Sequence, residues 1–383
     1  MTIGFPPRIT VSACTLCLAG VLAFTPIAAT ANTGSDPGTA TPSPALLNRP
    51  DTQVRPHPGA PTVPDISALS WLVADAHTGE VLAAHDSHRK LPPASTLKTL
   101  FALTVLPALP GGIQHRVSEQ DLAGIGEGSS LVGVEEGHTY RVADLWRGVF
   151  LNSGNDAVHV LASLNGGWET TATRMQAKAR TLGALDTHVI SPDGYDTDGQ
   201  VSSAYDLAVF GRAGLRNADF ARYCSTAEAQ FPGEGSSYGI QNTNRLLTGN
   251  DGVERYPGII GVKNGYTTHA GNTLVAAARR GGRSLVVTVM NPQAGGGFTV
   301  YEEARELLDW GFAAAGRVDP VGSLDALRAR PRPGPSAVPV AAAVVPDEGP
   351  GWAETATIVA AALLGAGAVV AAIRLRIKRL PPV

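Results

Sequence analysis

The pattern of hydrophobic and polar positions predicts one structured segment, residues 66–316, between two segments that lack regular spacing. Two strands joined by a turn at residues 77–79 are predicted in ALSWLVADAHTGEVLAAHDSH. Two more, joined at residues 281–282, are predicted in NTLVAAARRGGRSLVVTVMN. Helices are predicted where apolar residues recur every three or four positions: from Ser95, over residues 156–164, 169–182 and 204–215, and in TVYEEARELLDWGFAAA.

Predicted strands therefore lie at both ends of this segment, and predicted helices lie in its middle. This order favours an α+β fold, because strands from the two ends can pair in one antiparallel sheet that carries a helix on each face.

The first 31 residues are predicted to be a signal peptide. Arg8 precedes an apolar run, and Ala29-Thr30-Ala31 supplies a small-x-small cleavage site before Asn32. A retained anchor helix is the alternative interpretation. Residues 32–65 are rich in Pro, Gly, Ser and Thr, and we predict that they form a disordered spacer.

The C-terminal segments predict a membrane tether. A Pro-rich linker, residues 317–351, precedes residues 355–373, which contain no charged side chain and are long enough for a transmembrane helix. The following tail, residues 374–383, contains four basic residues, which favours the cytoplasmic side for that end. We therefore predict a single-pass cell-membrane protein with an extracytoplasmic body. A buried Ala-rich core helix is the alternative for residues 355–373.

Charge and cysteine content narrow the class of protein. The formal net charge of −3 gives no support for a nucleic-acid partner. Cys14 and Cys17 belong to the predicted signal peptide, so the mature chain keeps only Cys224 and no internal disulfide can stabilise it. Cys224 is more typical of a packed thiol beside Tyr223 than of a nucleophile, because no activating group is evident nearby.

The stretch LPPASTLKTLFALTVL places Ser95 and Lys98 where an apolar helix begins. Residues three positions apart lie on the same side of a helix, and the unpaired N–H groups of the first turn can stabilise an oxyanion. A buried Lys98 would have a lowered pKa and could then deprotonate Ser95. The alternative is an N-cap serine beside a lysine that extends to solvent.

Two later stretches carry polar groups that suit the same chemistry. FLNSGNDAV places Ser153 and Asn155 just before a predicted helix, where they could relay a proton and orient a peptide bond, or simply form a turn. GVKNGYTTHAGNTLVAAA places Lys263 before Asn264 and Gly265, so that a carboxylate could approach a strand backbone. An Asn-Gly hairpin turn is the alternative, although it does not explain the lysine.

Ser95-x-x-Lys98, Ser153-x-Asn155 and the Lys263–Gly265 triplet resemble, in order, the three signatures of penicillin-recognising serine enzymes. The likeness extends over nearly all of residues 66–316 and is strongest to the low-molecular-weight penicillin-binding proteins, the D-alanyl-D-alanine carboxypeptidases. It implies a five-stranded antiparallel sheet flanked by helices, with an all-helical cluster. The implied substrate is a peptidoglycan stem peptide, and β-lactams are the implied inhibitors. Neither a cofactor nor a metal is expected.

The resemblance also implies a role for each catalytic residue. Ser95 would be acylated by the penultimate D-Ala carbonyl, with release of the terminal D-Ala, and Lys98 would be the base. Ser153 and Asn155 would pass the proton and position the substrate.

The third signature would bind the substrate. Lys263 would meet the terminal carboxylate and help to keep Lys98 neutral, while the backbone N–H of Tyr266 would share the oxyanion with that of Ser95. Gly265 matches the family pattern, but Asn264 stands where relatives usually have threonine.

Two other functions are weighed against the carboxypeptidase. A class A β-lactamase needs a Glu-x-x-Leu-Asn motif, and none occurs between Asn155 and Lys263. An inactive module that binds stem peptides or penicillin without cleaving them has only Asn264 in its favour.

Overall fold

The computed structural model describes residues 46–327. The predicted signal peptide (1–31), transmembrane helix (355–373) and basic tail (374–383) lie outside the described residues. Within residues 46–327 no helix combines the length and apolar character needed to cross a membrane.

The described residues contain a large sheet, two small two-stranded sheets and eight α-helices. The strands are β1 (Thr52–Pro56), β2 (Ala68–Asp75), β3 (Glu80–His85), β4 (Gln114–Arg116), β5 (Thr139–Arg141), β6 (Glu228–Pro232), β7 (Ser237–Gln241), β8 (Ile259–Thr267), β9 (Gly271–Arg280), β10 (Arg283–Pro292), β11 (Val318–Asp319) and β12 (Gly322–Ser323). The α-helices are α1 (Lys98–Val105), α2 (Val142–Leu151), α3 (Asn155–Leu164), α4 (Trp168–Leu182), α5 (Ala204–Leu215), α6 (Ala218–Cys224), α7 (Arg245–Thr248) and α8 (Thr299–Ala314).

The main sheet is antiparallel, as predicted. Its strand order is β11-β1-β3-β2-β10-β9-β8, and β12 pairs with β3. The five longer strands, β3 to β8 in this order, correspond to the predicted five-stranded sheet. Strands from both ends of the chain meet where β10 pairs with β2. The α+β fold class is therefore confirmed.

Alternate residues of each central strand pack into different cores. On β2, Leu72 belongs to the core that contains α5, and Val73 to the core that contains α8; Val286 and Val287 of β10 divide in the same way. This follows from the two-residue side-chain period of a strand. The sheet is thus covered by helices on both faces, which explains why its strands are almost continuously apolar.

A helical cluster adjoins the sheet and supports the start of α1. Trp146 of α2 stacks near Phe101 of α1, with ring centroids 5.4 Å apart. Phe150 of α2 meets Phe220 of α6 edge-on at 5.0 Å. β8 and β9 contact the short 3₁₀ helix Ala94–Leu97 that leads into α1. The junction of sheet and cluster therefore fixes the residues around Ser95.

Two predicted boundaries are wrong. The disordered spacer assigned to 32–65 does not hold over residues 46–65, because Leu47 is buried and β1 pairs with β3. The linker assigned to 317–351 does not hold over residues 317–327, where β11 pairs with β1 and β12 pairs with β3. Backbone hydrogen bonds hold these short strands at the sheet edge. Because they need no alternation of apolar and polar residues, the sequence gives no clear signal for them.

Candidate active site

Ser95 and Lys98 lie on consecutive turns at the entrance to α1. Ser95 belongs to the 3₁₀ helix, and Lys98 is the first residue of the α-helix. The amine Nζ of Lys98 lies 2.8 Å from Ser95 Oγ. Lys98 is only 1 % exposed, so its amine is enclosed and does not extend to solvent.

Burial makes the neutral amine of Lys98 more accessible than that of an exposed lysine. Burial lowers the pKa of Lys98 to about 8, although the negative charges of Asp193 and Asp156 oppose that shift. Nζ also donates to the backbone carbonyl oxygen of Asp193 at 2.6 Å. A neutral amine has two N–H bonds and one lone pair, so it can donate to Asp193 and still accept the hydroxyl proton of Ser95.

Ser153 and Asn155 lie in a loop that ends where α3 begins. Ser153 is buried with a φ of 58°, in the left-handed region that few non-glycine residues adopt. Asn155 Nδ2 donates to Ser129 Oγ at 3.0 Å. Within residues 46–327, neither Ser153 Oγ nor Asn155 Oδ1 has a hydrogen-bond partner. Buried polar atoms normally have partners, so this pair suits a bound polar ligand.

Asp156, the residue after Asn155, holds a neighbouring loop, residues 129–134, in place. Its carboxylate accepts backbone N–H groups from Val132, Gly133 and Val134, at 2.8–3.0 Å. This loop also carries Ser129. The sequence analysis did not single out Asp156; an acidic residue in the first turn of an otherwise apolar helix was the available signal.

Lys263 is the second buried amine of the site. Burial, and then the nearby charge of Lys98, hold the pKa of Lys263 well below its usual range. Its Nζ donates to the backbone oxygen of Asn264 at 2.8 Å. The charge of Lys98 therefore disfavours protonation of Lys263.

Gly265 brings β8 against the backbone of Ser95. A Cβ atom on Gly265 would lie 2.6 Å from the backbone nitrogen of Ser95 and 2.8 Å from Thr273 Oγ1. Thr273 Oγ1 in turn donates to the carbonyl of Pro93 at 3.0 Å. Only glycine permits this approach without a shift of the backbone.

Asn264 and Tyr266 lie on either side of Gly265 within a continuous strand, which excludes the alternative interpretation of an Asn-Gly turn. Asn264 Oδ1 accepts the hydroxyl of Thr243 at 2.9 Å. Tyr266 is 66 % exposed.

A cleft of about 230 Å³ opens beside these groups. Ser95, Asn155 and Tyr266 line it together with Ser129 and Ser130. Lys98 reaches the cleft through its hydrogen bond to Ser95. The structure thus gathers the three sequence stretches around one cleft. No group of three His, Cys, Asp or Glu side chains within residues 46–327 is arranged to hold a metal ion.

The comparisons with known proteins agree with this geometry. The family model described as D-alanyl-D-alanine carboxypeptidase, Peptidase S11, matches residues 57–294, more than half of the chain. The chain belongs to this family.

The chain is also similar to named relatives and to solved structures. The chain is 41 % identical over 277 residues to the D-alanyl-D-alanine carboxypeptidase DacB2 of Mycobacterium tuberculosis, a match that covers 72 % of this chain and 91 % of that protein. It is 35 % identical to DacD of Escherichia coli, covering 66 % of this chain and 65 % of the relative. A crystal structure of the M. tuberculosis carboxypeptidase superimposes with a TM-score of 0.65 at 40 % identity, covering 71 % of this chain and 100 % of that one. The Streptomyces K15 DD-transpeptidase matches with a TM-score of 0.61 at 26 % identity, covering 66 % and 100 %.

Sequence reasoning on this Peptidase S11 chain missed groups that act through the backbone. The backbone carbonyl of Asp193 accepts a hydrogen bond from Lys98, and no pattern of side chains in the sequence could have revealed this contact.

Cys224 is fully buried, with Sγ 3.4 Å from the backbone oxygen of Ile260. Burial raises the pKa of its thiol to about 12, which agrees with a packed thiol and not with a nucleophile.

Proposed function

We propose that this protein is a serine D,D-carboxypeptidase that removes the terminal D-Ala from peptidoglycan stem peptides through an acyl-enzyme on Ser95. The observation that carries the proposal is the 2.8 Å contact between Lys98 Nζ and Ser95 Oγ, made by a buried amine with a lowered pKa. A nucleophile and a base within hydrogen-bonding reach are what acyl transfer requires.

In the acylation step, Ser95 Oγ attacks the carbonyl carbon of the penultimate D-Ala. Lys98 accepts the hydroxyl proton, and the backbone N–H groups of Ser95 and Tyr266 stabilise the oxyanion. The proton then passes to the leaving amine of the terminal D-Ala through Ser153, whose hydroxyl has no competing partner in the described part of the chain. The peptide bond breaks and free D-Ala leaves.

In the deacylation step, a water molecule attacks the acyl-enzyme ester. Lys98 again accepts the proton, and Ser95 Oγ leaves as the restored hydroxyl. β-Lactams would inhibit by acylating Ser95 in the same way and leaving slowly.

Substrate binding is assigned to β8 and to Asn155. β8 is the last strand of its sheet, so an extended peptide can pair with its free edge. Lys263 is assigned to the terminal carboxylate, whose negative charge would raise the lowered pKa of this buried amine and favour its protonation on binding. Asn155 Oδ1 can accept the amide N–H of the stem peptide. Asn264 contributes a side-chain amide in place of the hydroxyl usual in the family.

We further propose that the catalytic body is exported and held at the cell membrane. The support comes from the sequence: an N-terminal signal pattern over residues 1–31, an uncharged stretch over 355–373 and a basic tail after it.

The test compares Ser95→Ala with Ser87→Ala, using mass spectrometry of a stem pentapeptide and labelling by fluorescent penicillin. Ser87 also precedes a lysine by three residues, but its hydroxyl donates to the backbone of Leu47, outside the cleft. We expect Ser95→Ala to lose D-Ala release and labelling, and Ser87→Ala to keep both. Labelling of Ser95→Ala would refute the assignment, and labelling of the wild type without D-Ala release would favour the non-catalytic binding module.

A further inference from the structure

A second cleft, about 450 Å³ in volume, opens away from the catalytic one. Four arginines line it, and we refer to it as the arginine cleft: Arg212, Arg216, Arg222 and Arg279. None of its lining residues is acidic. A concentration of guanidinium groups of this kind suits phosphate, which accepts paired hydrogen bonds from arginine.

The arginine cleft is separate from the catalytic cleft. Ile260, near the start of β8, lines the arginine cleft, whereas Tyr266, near its end, lines the catalytic cleft. Six residues of extended strand separate them, a distance of about 20 Å. A ligand in one cleft therefore does not contact the other.

Two of the arginines are available to a ligand. Arg279 is exposed, and its Nε donates to the neutral hydroxyl of Ser284. Arg222 pairs with Asp219, but both side chains are more than half exposed, so this ion pair adds little stability. Arg212 has a structural role, since it is buried and donates to the backbone oxygens of Ala76 and His77.

The described chain ends beside this cleft. Arg212 also pairs with Asp325, two residues before the last described residue, Leu327. Residues 328–354 then precede the predicted transmembrane helix. The predicted tether therefore follows the end of the described chain that lies beside the arginine cleft.

We propose that the arginine cleft binds the phosphate of an anionic lipid headgroup and holds this end of the catalytic body on the membrane surface. The catalytic cleft lies about 20 Å along β8 from this contact. The inference rests on the proposed membrane tether.

The experiment uses the chain from residue 32 onward, reconstituted in vesicles of phosphatidylcholine with or without phosphatidylglycerol. Ser225→Cys places a fluorophore in the arginine cleft, and the buried Cys224 stays unlabelled because of its raised pKa. A headgroup nitroxide then reports contact by quenching. The test variant is Arg222→Gln/Arg279→Gln. The control is Arg116→Gln/Arg141→Gln, which removes the same charge from exposed positions on β4 and β5.

We expect quenching to require phosphatidylglycerol, to be lost in the test variant and to persist in the control. Two arginines near an anionic surface correspond to about a 30-fold change in the binding equilibrium. Release by millimolar glycerol phosphate would show that phosphate is the group recognised. Quenching that is equal in both lipids or unchanged in the test variant would overturn the proposal. So would protection of the label by glycerol phosphate without any effect of the anionic lipid.

Two controls separate this proposal from the proposed function. Flotation with the vesicles reports whether the tether inserts, and penicillin labelling reports the catalytic site. A chain that floats and is labelled, but shows no lipid-dependent quenching, contradicts the arginine cleft alone. A chain that does not float contradicts the tether.

Discussion

The amine of Lys98 donates to the backbone carbonyl of Asp193 at 2.6 Å. This contact uses one N–H bond and leaves the lone pair free to face Ser95. Gly194, the next residue, has a φ of 79°, and a Cβ there would lie 2.1 Å from the carbonyl oxygen of Ala94. Residues 193–194, which orient Lys98, therefore pack directly against Ala94, the residue before Ser95.

The rate of acylation by penicillin should rise with pH and level off above about pH 9, one unit above the pKa of Lys98. Only the neutral form of Lys98 can accept a proton, and its pKa is lowered to about 8 by burial. Between pH 6 and pH 8 the neutral fraction grows roughly 50-fold. Stopped-flow measurement of acylation checks this, and a rate that is flat over the same range would exclude Lys98 as the titrating base.

Lys98→Met should abolish acylation yet stabilise the fold at pH 6. A lysine whose pKa is lowered in the folded state binds its proton less tightly there than in the unfolded chain. At pH 6, below both pKa values, the full cost of burying the charge is present, and it disappears as the pH rises from about 8 past 10.5.

After loss of the hydrogen bonds to Ser95 and Asp193, we expect a net gain of about 2 kcal/mol at pH 6. Thermal unfolding at pH 6 and pH 9.5 measures the difference. A gain in stability that is larger at pH 9.5 than at pH 6 would contradict a lowered pKa for Lys98.

Gly265→Ala should lower acylation about 100-fold with a modest loss of stability. The added methyl would lie 2.6 Å from the backbone nitrogen of Ser95, so β8 or the 3₁₀ helix has to move. Gly239→Ala in β7 is the matched control, because its nearest contact would be 3.8 Å away. Equal activity of the two variants would show that the close approach is not needed.

Asn264→Thr should change the KM for the stem peptide more than the kcat. Asn264 accepts a hydrogen bond from Thr243 at 2.9 Å, and a shorter side chain breaks that contact and places a hydroxyl on β8. Thr243→Val removes the same hydrogen bond without altering β8 and serves as the comparison. If the two variants change KM equally, Asn264 acts only through this hydrogen bond, as a structural residue.

Asp156→Asn should destabilise the protein by about 2–3 kcal/mol and weaken substrate binding. The carboxylate accepts N–H groups from Val132, Gly133 and Val134, and an amide would replace one acceptor oxygen with a donor. Denaturant unfolding measures the loss. Asp144→Asn, on the neighbouring α2, is the control for removal of a carboxylate, and an equal effect would contradict a special role for Asp156.

Apolar spacing located the long elements well because their burial is periodic. The predicted helix over residues 204–215 coincides with α5, and the predicted strand pairs correspond to β2–β3 and β9–β10. The hairpin of β6 and β7 was missed because its residues are mostly polar or exposed.

The candidate site was predictable only in part. Short motifs pointed to Ser95 and Lys98, because side-chain identity carries that signal. They could not reveal the carbonyl of Asp193 or the packing of Gly265 against Ser95, since both depend on where the backbone runs. The catalytic roles stay predictions until the variants above are measured.

Both ends of the described chain pair at one side of the sheet, and this has a mechanical consequence. A force applied at the C-terminal end first meets β12, which is paired with β3, and then β11, which is paired with β1. Each contact spans two residues, so it can peel away separately. Tension applied at Leu327 would therefore separate these outer strands before it reached β2 and β10, and the geometry around Ser95 would persist under load.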